Sequence, residues 1–430
     1  MKEINHSLPN VKGVYGLTNL MKVAEPLQKG ILRALHGVFV YKDGTIRYDA
    51  TDLPLTHFKP NEIGTSIKKL IEFGYLYDIY GKPLENDGQI LELKVQDILL
   101  SEHSAKYFVK VANFLDDELK TFYNINPFYN IKNTSDLIGQ IFIGLAPHTS
   151  AGIIGRAIGF SSARAIYAHP FWHAAKRRNC DGDEDGLMLL MDCLLNFSLH
   201  YLPSKIGGKM DEPLVISVRL DPNEIDSEAH NIDTLYQYPL EFYESTEKYL
   251  DPNELIDKME LESTRLGSEL QFEQLGFTHP TESINAGPLT TAYKLYETID
   301  EKIHAQLYLA KIIKSVNVQD VARRILKTHF TPDILGNLRS FTNQNFRCVK
   351  CNEKYRTPPL YTGGICKCGG KIILTVNRGG IEKYIPRSLK IIKEFDLDNY
   401  TKQRMELIES YVKSVANNPK IRQHHLSDFF

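Results

Sequence analysis

Short alternating apolar runs open the readable pattern of the chain. Val38-Phe39-Val40-Tyr41 and Thr45-Ile46-Arg47-Tyr48 flank Asp43-Gly44, which predicts a hairpin over residues 38–48. Helical spacing follows near residues 61–75 and 104–121, and the polar stretch 130–135 after Pro127 marks a boundary. Residues 138–145 are apolar and glycine-punctuated, as a buried strand would be. Residues 187–202, including Leu190, Met191, Leu194 and Leu195, are apolar nearly all round and predict a core helix. Pro203 would end that helix, Gly207-Gly208 make a loop, and residues 214–220 read as a second buried strand. Residues 221–270 are acidic and expected at the surface. Helical periodicity resumes after Gly287, where Tyr293, Leu295, Tyr296, Ile299, Ile303 and Leu307 form one stripe, and again near 401–415, ended by Asn417-Asn418-Pro419.

Composition adds limits to this picture. With 430 residues, 42% hydrophobic and 24% charged, the chain is long enough for about three globular domains. The start, Met1 to His6, lacks an apolar signal core, and no apolar run is long enough to span a bilayer, so a cytoplasmic protein without a membrane partner is expected. The net charge of −2 hides an asymmetry: residues 302–430 hold 23 Lys and Arg against 10 Asp and Glu, and residues 1–301 hold 28 against 43. The basic C-terminal third points to a polyanion partner, with an ordinary solvated surface as the alternative.

The densest chemistry lies in Asn179-Cys180-Asp181-Gly182-Asp183-Glu184-Asp185, one amide and three carboxylates at alternate positions around a glycine. In extended backbone these four side chains share a face, and such crowding of like charge calls for cations. The segment reads as a Mg²⁺ site in which Asp181 and Asp183 are the ligands, Asp185 is a third ligand directly or through water, and Asn179 orients a ligand or a sugar. Two alternatives stay open. Asp181, Asp183, Asp185, Gly186 and Asp192 also fit a calcium loop, and the turn could simply be solvated. The preceding Lys176, Arg177 and Arg178 are candidates for phosphate contact or, equally, a solvated basic face. His173 is expected to be packed, and Cys180 and Cys193 carry no reaction.

Cys348-x-x-Cys351 and Cys366-x-Cys368 are separated by fourteen residues, a set suited to a structural tetrahedral Zn²⁺, with reduced core or redox cysteines as the alternative. The second pair is one residue shorter than the usual knuckle. The chain ends with Gln423, Leu426, Phe429 and Phe430 in the spacing of peptides that bind a sliding clamp: an apolar plug beside a polar anchor. A tail folded back on its own core is the alternative.

Several motifs together carry a resemblance. Lys42-Asp43-Gly44-Thr45, Asp49-Ala50-Thr51-Asp52, Gly144 to Ser150, His169-Pro170-Phe171-Trp172-His173, Lys176 to Asp185, Gly208 to Leu214, Asp226 to Asn231 and His329 to Arg339 together resemble the large subunit of archaeal DNA polymerase II, the family D polymerase. The resemblance covers nearly the whole chain. It implies an α+β multidomain protein with an RNA-polymerase-like double-psi β-barrel as catalytic core, a zinc ribbon and a clamp-binding tail. The expected segments are an accessory region over 1–135, the catalytic barrel region over 136–235, helices over 236–340, the ribbon over 341–385, and the terminal helix with its tail over 386–430. The implied activity is template-directed DNA synthesis from dNTPs on primer-template DNA by two-metal nucleotidyl transfer. A clamp, PCNA, and a small subunit with 3′→5′ exonuclease chemistry are implied as partners. The family's large subunit is far longer, so this chain is expected to be its C-terminal portion, requiring the N-terminal portion for activity. A non-catalytic scaffold for DNA and clamp, a metal-dependent nuclease, and more distantly RNA synthesis are the other readings.

Overall fold

The computed structural model describes residues 27–41, 43–198, 211–276, 282–292, 295–357, 360–374, 376 and 378–416. The chain divides into two compact units, Met1–Thr290 and Thr291–Phe430. Of the segments expected from sequence, 236–340 straddles this division, and strands from 1–135 and 136–235 share one sheet.

The first unit is built on the strands β1 (Tyr48–Pro54), β2 (His57–Phe58), β3 (Leu91–Glu92), β4 (Asp97–Ser101), β5 (Ile141–Leu145), β6 (Ala151–Ser161), β7 (Ala165–Ala168), β8 (Glu184–Leu189) and β9 (Val215–Ser217). β2 and β3 form a separate pair, while the other seven run in the order β4-β7-β1-β8-β5-β6-β9. β4 also pairs with β6, which closes six of the strands into a ring, with β9 attached outside it. Pairing is mixed: β1 with β7 and β4 with β6 are parallel, the other contacts around the ring antiparallel.

Period two governs the packing. Ala50, Ile98, Leu100, Phe142, Ile153, Ala157, Ile166, Ala168, Leu187 and Leu189 share one buried core with the helix Glu102–Glu118. Their neighbours Leu99, Ile158 and Tyr167 pack into a second cluster, and Ile143, Leu145 and Met188 into a third. The helices of this unit are α1 (Leu27–His36), α2 (Pro60–Ile63), α3 (Ile67–Glu72), α4 (Glu102–Glu118), α5 (Pro170–Ala175), α6 (Leu190–Asn196) and α7 (Leu240–Glu247). Ser101 caps α4 by accepting the Ser104 N–H, and the face with Phe108, Val111, Phe114 and Leu115 enters the main core.

Several expectations are corrected here. The core helix expected over 187–202 is instead strand β8 followed by the seven-residue α6, with residues beyond 198 outside the described part. β8 lies between β1 and β5 and is buried on both faces, so it reads as a continuous apolar run that periodicity cannot tell from a buried helix. The buried strand expected over 214–220 is only β9, with Val215 60% and Val218 71% exposed, because it has a single neighbour at the sheet's outer edge. The single helix near 61–75 is two, α2 ending at Gly64 in a left-handed conformation (φ 68°) and α3 starting at the Ser66 cap. The expected hairpin keeps its Asp43-Gly44 turn, with Tyr41 N–H bonded to Thr45 O at 2.7 Å, but only a Val40–Ile46 bridge precedes β1.

One close approach fixes the helix below the site. Trp172 on α5 lies against β5 and β6 and donates its indole N–H to Ile154 O at 3.1 Å. A Cβ on Gly144 would lie 2.4 Å from Trp172 Cη2. Gly144→Ala is expected to destabilise this unit by roughly 1–3 kcal/mol, read as a lower urea midpoint; an unchanged midpoint would mean that the indole moves aside freely.

The second unit holds α8 (Ile299–Ile312), α9 (Val318–Arg324), α10 (Thr331–Asn343), α11 (Arg378–Glu382), α12 (Ile385–Glu394) and α13 (Asn399–Ala416) around one apolar core. The stripe expected from residue 293 begins only at Ile299, after a Thr298–Glu301 capping box. Leu307 is buried and Ile303 partly so, while Leu295 and Ile299 are exposed and Tyr293 lies outside the described residues. A π-turn over Ile325–Phe330 precedes Pro332, whose ring cannot continue a regular α-helical ladder. Between α10 and α11 a small ribbon forms from β10 (Phe346–Cys348), β11 (Lys354–Tyr355) and β12 (Ile372–Ile373), ordered β11-β10-β12.

Candidate active site

The acidic segment is the turn that joins α5 to β8. His169 caps α5 through Nδ1, which accepts the Phe171 N–H at 3.1 Å, and Pro170 opens the helix. After Lys176 the chain reverses through three left-handed residues, Arg177 (φ 63°), Cys180 (φ 59°) and Gly182 (φ 96°). It then re-enters the sheet, where Asp52 N–H bonds Asp183 O at 2.7 Å and Thr51 lies opposite Glu184. The extended backbone expected from 179 to 185 is therefore realised only from Asp183 onward.

The site residues separate by depth. Asn179, Asp181 and Asp183 are exposed on the turn, with Arg177 beside them. Asp185 is buried on β8. Lys176 is also buried, at 1% exposure, which corrects its expected place at the surface facing phosphate. Its Nζ is 2.6 Å from Asp52 Oδ2, bonds Asp185 Oδ2, and lies 4.0 Å from the Trp172 ring centroid. An ammonium out of water needs such partners, and here two carboxylates and a π face supply them. Arg178 spans the turn: Nε to Asp185 Oδ1 at 2.7 Å, Nη1 to Asp183 Oδ2 at 3.1 Å and Nη2 to Glu184 O at 3.1 Å.

Asp52 was not among the expected site residues, although its motif was part of the resemblance. It is fully buried, and besides Lys176 it faces His173, whose Nδ1 is 3.0 Å from Asp52 Oδ2 and whose Nε2 is 3.0 Å from Leu53 O. His173 is packed, as expected. A sequence signal did exist: an aspartate inside an otherwise strand-like run needs a buried cation, and Lys176 is that cation. Burial raises the Asp52 carboxyl, but the Lys176 ammonium and His173 outweigh it and hold it below the usual carboxylate range. Burial pushes the Asp185 carboxyl up, partly offset by Lys176 and reinforced by Asp52. Burial also raises Cys180 to about 11 and Cys193 to about 12, so neither is a thiolate nucleophile near neutral pH.

A calcium loop is excluded by the same geometry. Its twelve residues would have to wrap one ion, yet Glu184–Leu189 is a strand paired on both sides. Asp192, the twelfth position, is buried beyond that strand, accepting the Ile46 N–H at 2.5 Å and Asn196 Nδ2 at 2.8 Å.

Among the described residues, the cysteines Cys348, Cys351, Cys366 and Cys368 alone form a group of three or more potential metal ligands within 4.8 Å of one another. Cys348 and Cys368 Sγ are 3.5 Å apart and Cys351 and Cys366 Sγ 3.4 Å, near the roughly 3.8 Å edge of a tetrahedral zinc–thiolate site. The Lys350 N–H donates to Cys348 Sγ at 3.3 Å. The short second pair closes because Gly369 takes φ 76° and a Cβ at Gly370 would stand 2.5 Å from Cys348 Sγ. A structural metal such as zinc fits this set. Arg347, Lys350, Lys354, Arg356, Lys367 and Lys371 are all exposed around it. The tail residues Gln423, Leu426, Phe429 and Phe430 lie outside the described residues.

The geometry thus defines a class: a closed mixed ring of strands with exposed carboxylates on a turn at one end, in a chain that also carries a four-cysteine ribbon. Residues 4–302 match the family described as DNA polymerase II large subunit DP2, catalytic domain. The chain is 54% identical over 422 residues to the DNA polymerase II large subunit of Methanococcoides burtonii, covering 98% of this chain and 37% of that protein. The corresponding protein of Pyrococcus furiosus is 54% identical over 411 residues, covering 95% and 32%, and that of Archaeoglobus fulgidus 53% identical over 423 residues, covering 98% and 37%. The chain belongs to the DNA polymerase II large-subunit family, and it spans about a third of the length of these relatives.

Proposed function

We propose that the chain carries the acidic half of a nucleotidyl-transfer site in a DNA polymerase, extending primers from dNTPs once joined by the remainder of the large subunit. The observation that carries this reading is the contrast in depth at the turn. Asp181 and Asp183 are left exposed at the end of a strand while Lys176, Asp52 and Asp185 hold the backbone beneath them. That is the arrangement a metal-assisted transfer needs, with ligands accessible and supports rigid.

Asp181 and Asp183 would hold Mg²⁺, an all-oxygen donor set that suits a hard ion usually completed by water and substrate phosphates. Bound there, Mg²⁺ supplies a lowered pKa at the primer 3′-hydroxyl and neutralises charge on the triphosphate. Asn179 orients a ligand or the sugar, and the exposed Arg177 is free to meet phosphate. Asp185 acts on the site through Arg178 and Lys176 rather than as a ligand. The six-stranded ring, with two parallel pairs among antiparallel ones, supports assignment to the double-psi barrel class. An N-terminal portion of the large subunit, a small 3′→5′ exonuclease subunit, primer-template DNA and a sliding clamp reached by the tail complete the proposed assembly.

A scaffold reading has one observation in its favour: the turn carboxylates do not converge as the cysteines do. Primer extension by the complete reconstituted enzyme separates the two. Asp181→Asn and Asp183→Asn are each expected to lower kcat by at least about 10²-fold with unchanged circular dichroism. Normal extension in both variants would leave only the scaffold, and degradation of single strands by this chain alone would instead favour a nuclease.

A further inference from the structure

Resting on that reading, we infer that Arg178 is a built-in competitor of the divalent cation, holding Asp183 until metal and polyphosphate arrive together. Three contacts fix the guanidinium, and they are unequal. Nε on Asp185 Oδ1 (2.7 Å) and Nη2 on Glu184 O (3.1 Å) tie it to the strand, whereas Nη1 alone reaches an exposed carboxylate, Asp183 Oδ2, at 3.1 Å. The Asp183 side chain is 50% exposed and that of Arg178 only 16%. The Asp185 anchor is therefore buried, and the contested bond lies at the solvent edge.

Of the turn's three aspartates, Asp185 is already neutralised by Lys176 and Arg178, and Asp183 is paired, among the described residues, with Arg178 alone. A cation that takes Asp183 Oδ2 must displace one N–H donor from it. Because Nε and Nη2 keep their own acceptors, the guanidinium is not released, and Nη1 is left beside the ion with no acceptor. An anionic phosphate oxygen is the natural replacement, since planar guanidinium donors suit that geometry. Arg178 thus disfavours metal without nucleotide and favours metal with it. Lys176 cannot do this, because both its carboxylates are buried.

The test uses the 430-residue chain with Mn²⁺ as a spectroscopic probe, free Mn²⁺ being followed by electron paramagnetic resonance, and inorganic tripolyphosphate as the anion. Arg178→Gln is expected to bind Mn²⁺ alone about three- to fivefold more tightly, the range for loss of a half-exposed ion pair. The same variant should bind tripolyphosphate in saturating Mn²⁺ more weakly than the native chain. A turn that had merely loosened would weaken both, so equal or weaker Mn²⁺ binding in Arg178→Gln overturns the inference. Arg178→Lys keeps one charge but cannot span all three acceptors, and should shift both affinities in the same directions by less. If the glutamine variant does not fold, this lysine variant decides on the same two signs. Asp183→Asn separates the layers. If it leaves native Mn²⁺ binding unchanged, the metal-site reading fails and the inference with it. If it abolishes binding while Arg178→Gln has no effect, only the inference fails.

Discussion

Removing one thiolate from the ribbon, as in Cys351→Ser, is expected to unfold residues 346–373 while the first unit keeps its own thermal transition. The ribbon has almost nothing else to hold it. Its strands are three, two and two residues long. Its buried cluster consists of Cys348, Cys366 and Ile372, with Phe346, Tyr355 and Cys368 partly buried against them. Such a core cannot offset the ordering entropy of this segment. Binding of a structural zinc contributes about 10 kcal/mol or more at neutral pH, so a bound ion would be the ribbon's main source of stability. Metal analysis should find about one zinc per native chain and less in the variant. Limited proteolysis should then cut the variant within the ribbon. A metal-free chain whose ribbon resists protease would refute this account.

Lys176→Met is the second large effect, and it acts through charge. The substitution keeps an apolar stem against Trp172 but leaves the Asp52 and Asp185 carboxylates buried without their shared ammonium. Breaking a buried pair in this way costs about 3–5 kcal/mol. The sign with pH follows from which form each carboxyl then prefers. Without the ammonium, burial and mutual repulsion raise both folded-state pKa values above their unfolded ones. The variant's stability is then fully present below the unfolded carboxylate pKa and lost as pH rises through the raised values. The deficit against the native chain should therefore be largest at mildly alkaline pH and shrink toward pH 5 in urea titrations. Adding Asp52→Asn and Asp185→Asn to Lys176→Met should recover much of the loss, because the stranded charges are gone. A deficit independent of pH would point to lost packing instead.

How much of this was legible follows from how local each feature is. The ribbon was readable because four cysteines within twenty-one residues carry their own spacing, and the fold only had to bring two turns together. The acidic turn was readable for the same reason, but its depth profile was not. Lys176, Arg177 and Arg178 are three adjacent cations in sequence, and only the turn after α5 buries the first, exposes the second and bends the third back over the acids. The partner that buries Lys176 lies 124 residues away at Asp52. The misread helix over 187–202 shows the converse limit. A strand covered on both faces has no alternation to detect, and Gly186 was the one local hint that Leu187 and Met188 did not begin a helix. In the second unit, α13 (Asn399–Ala416) was found within two residues of its expected ends, since its stripe is regular and it carries its own start and stop signals.

The place of β8 has a consequence for how the chain comes into being. Its two neighbours, β1 and β5, are synthesised well before it, and each must wait with an unpaired flank until residues 184–189 leave the ribosome. During that interval the nascent polypeptide displays two adhesive edges and a half-built cylinder, a state prone to clumping with its copies. The last stave to arrive, β8, follows directly on the turn that bears the carboxylates, so the proposed site takes shape in the same event that seals the wall.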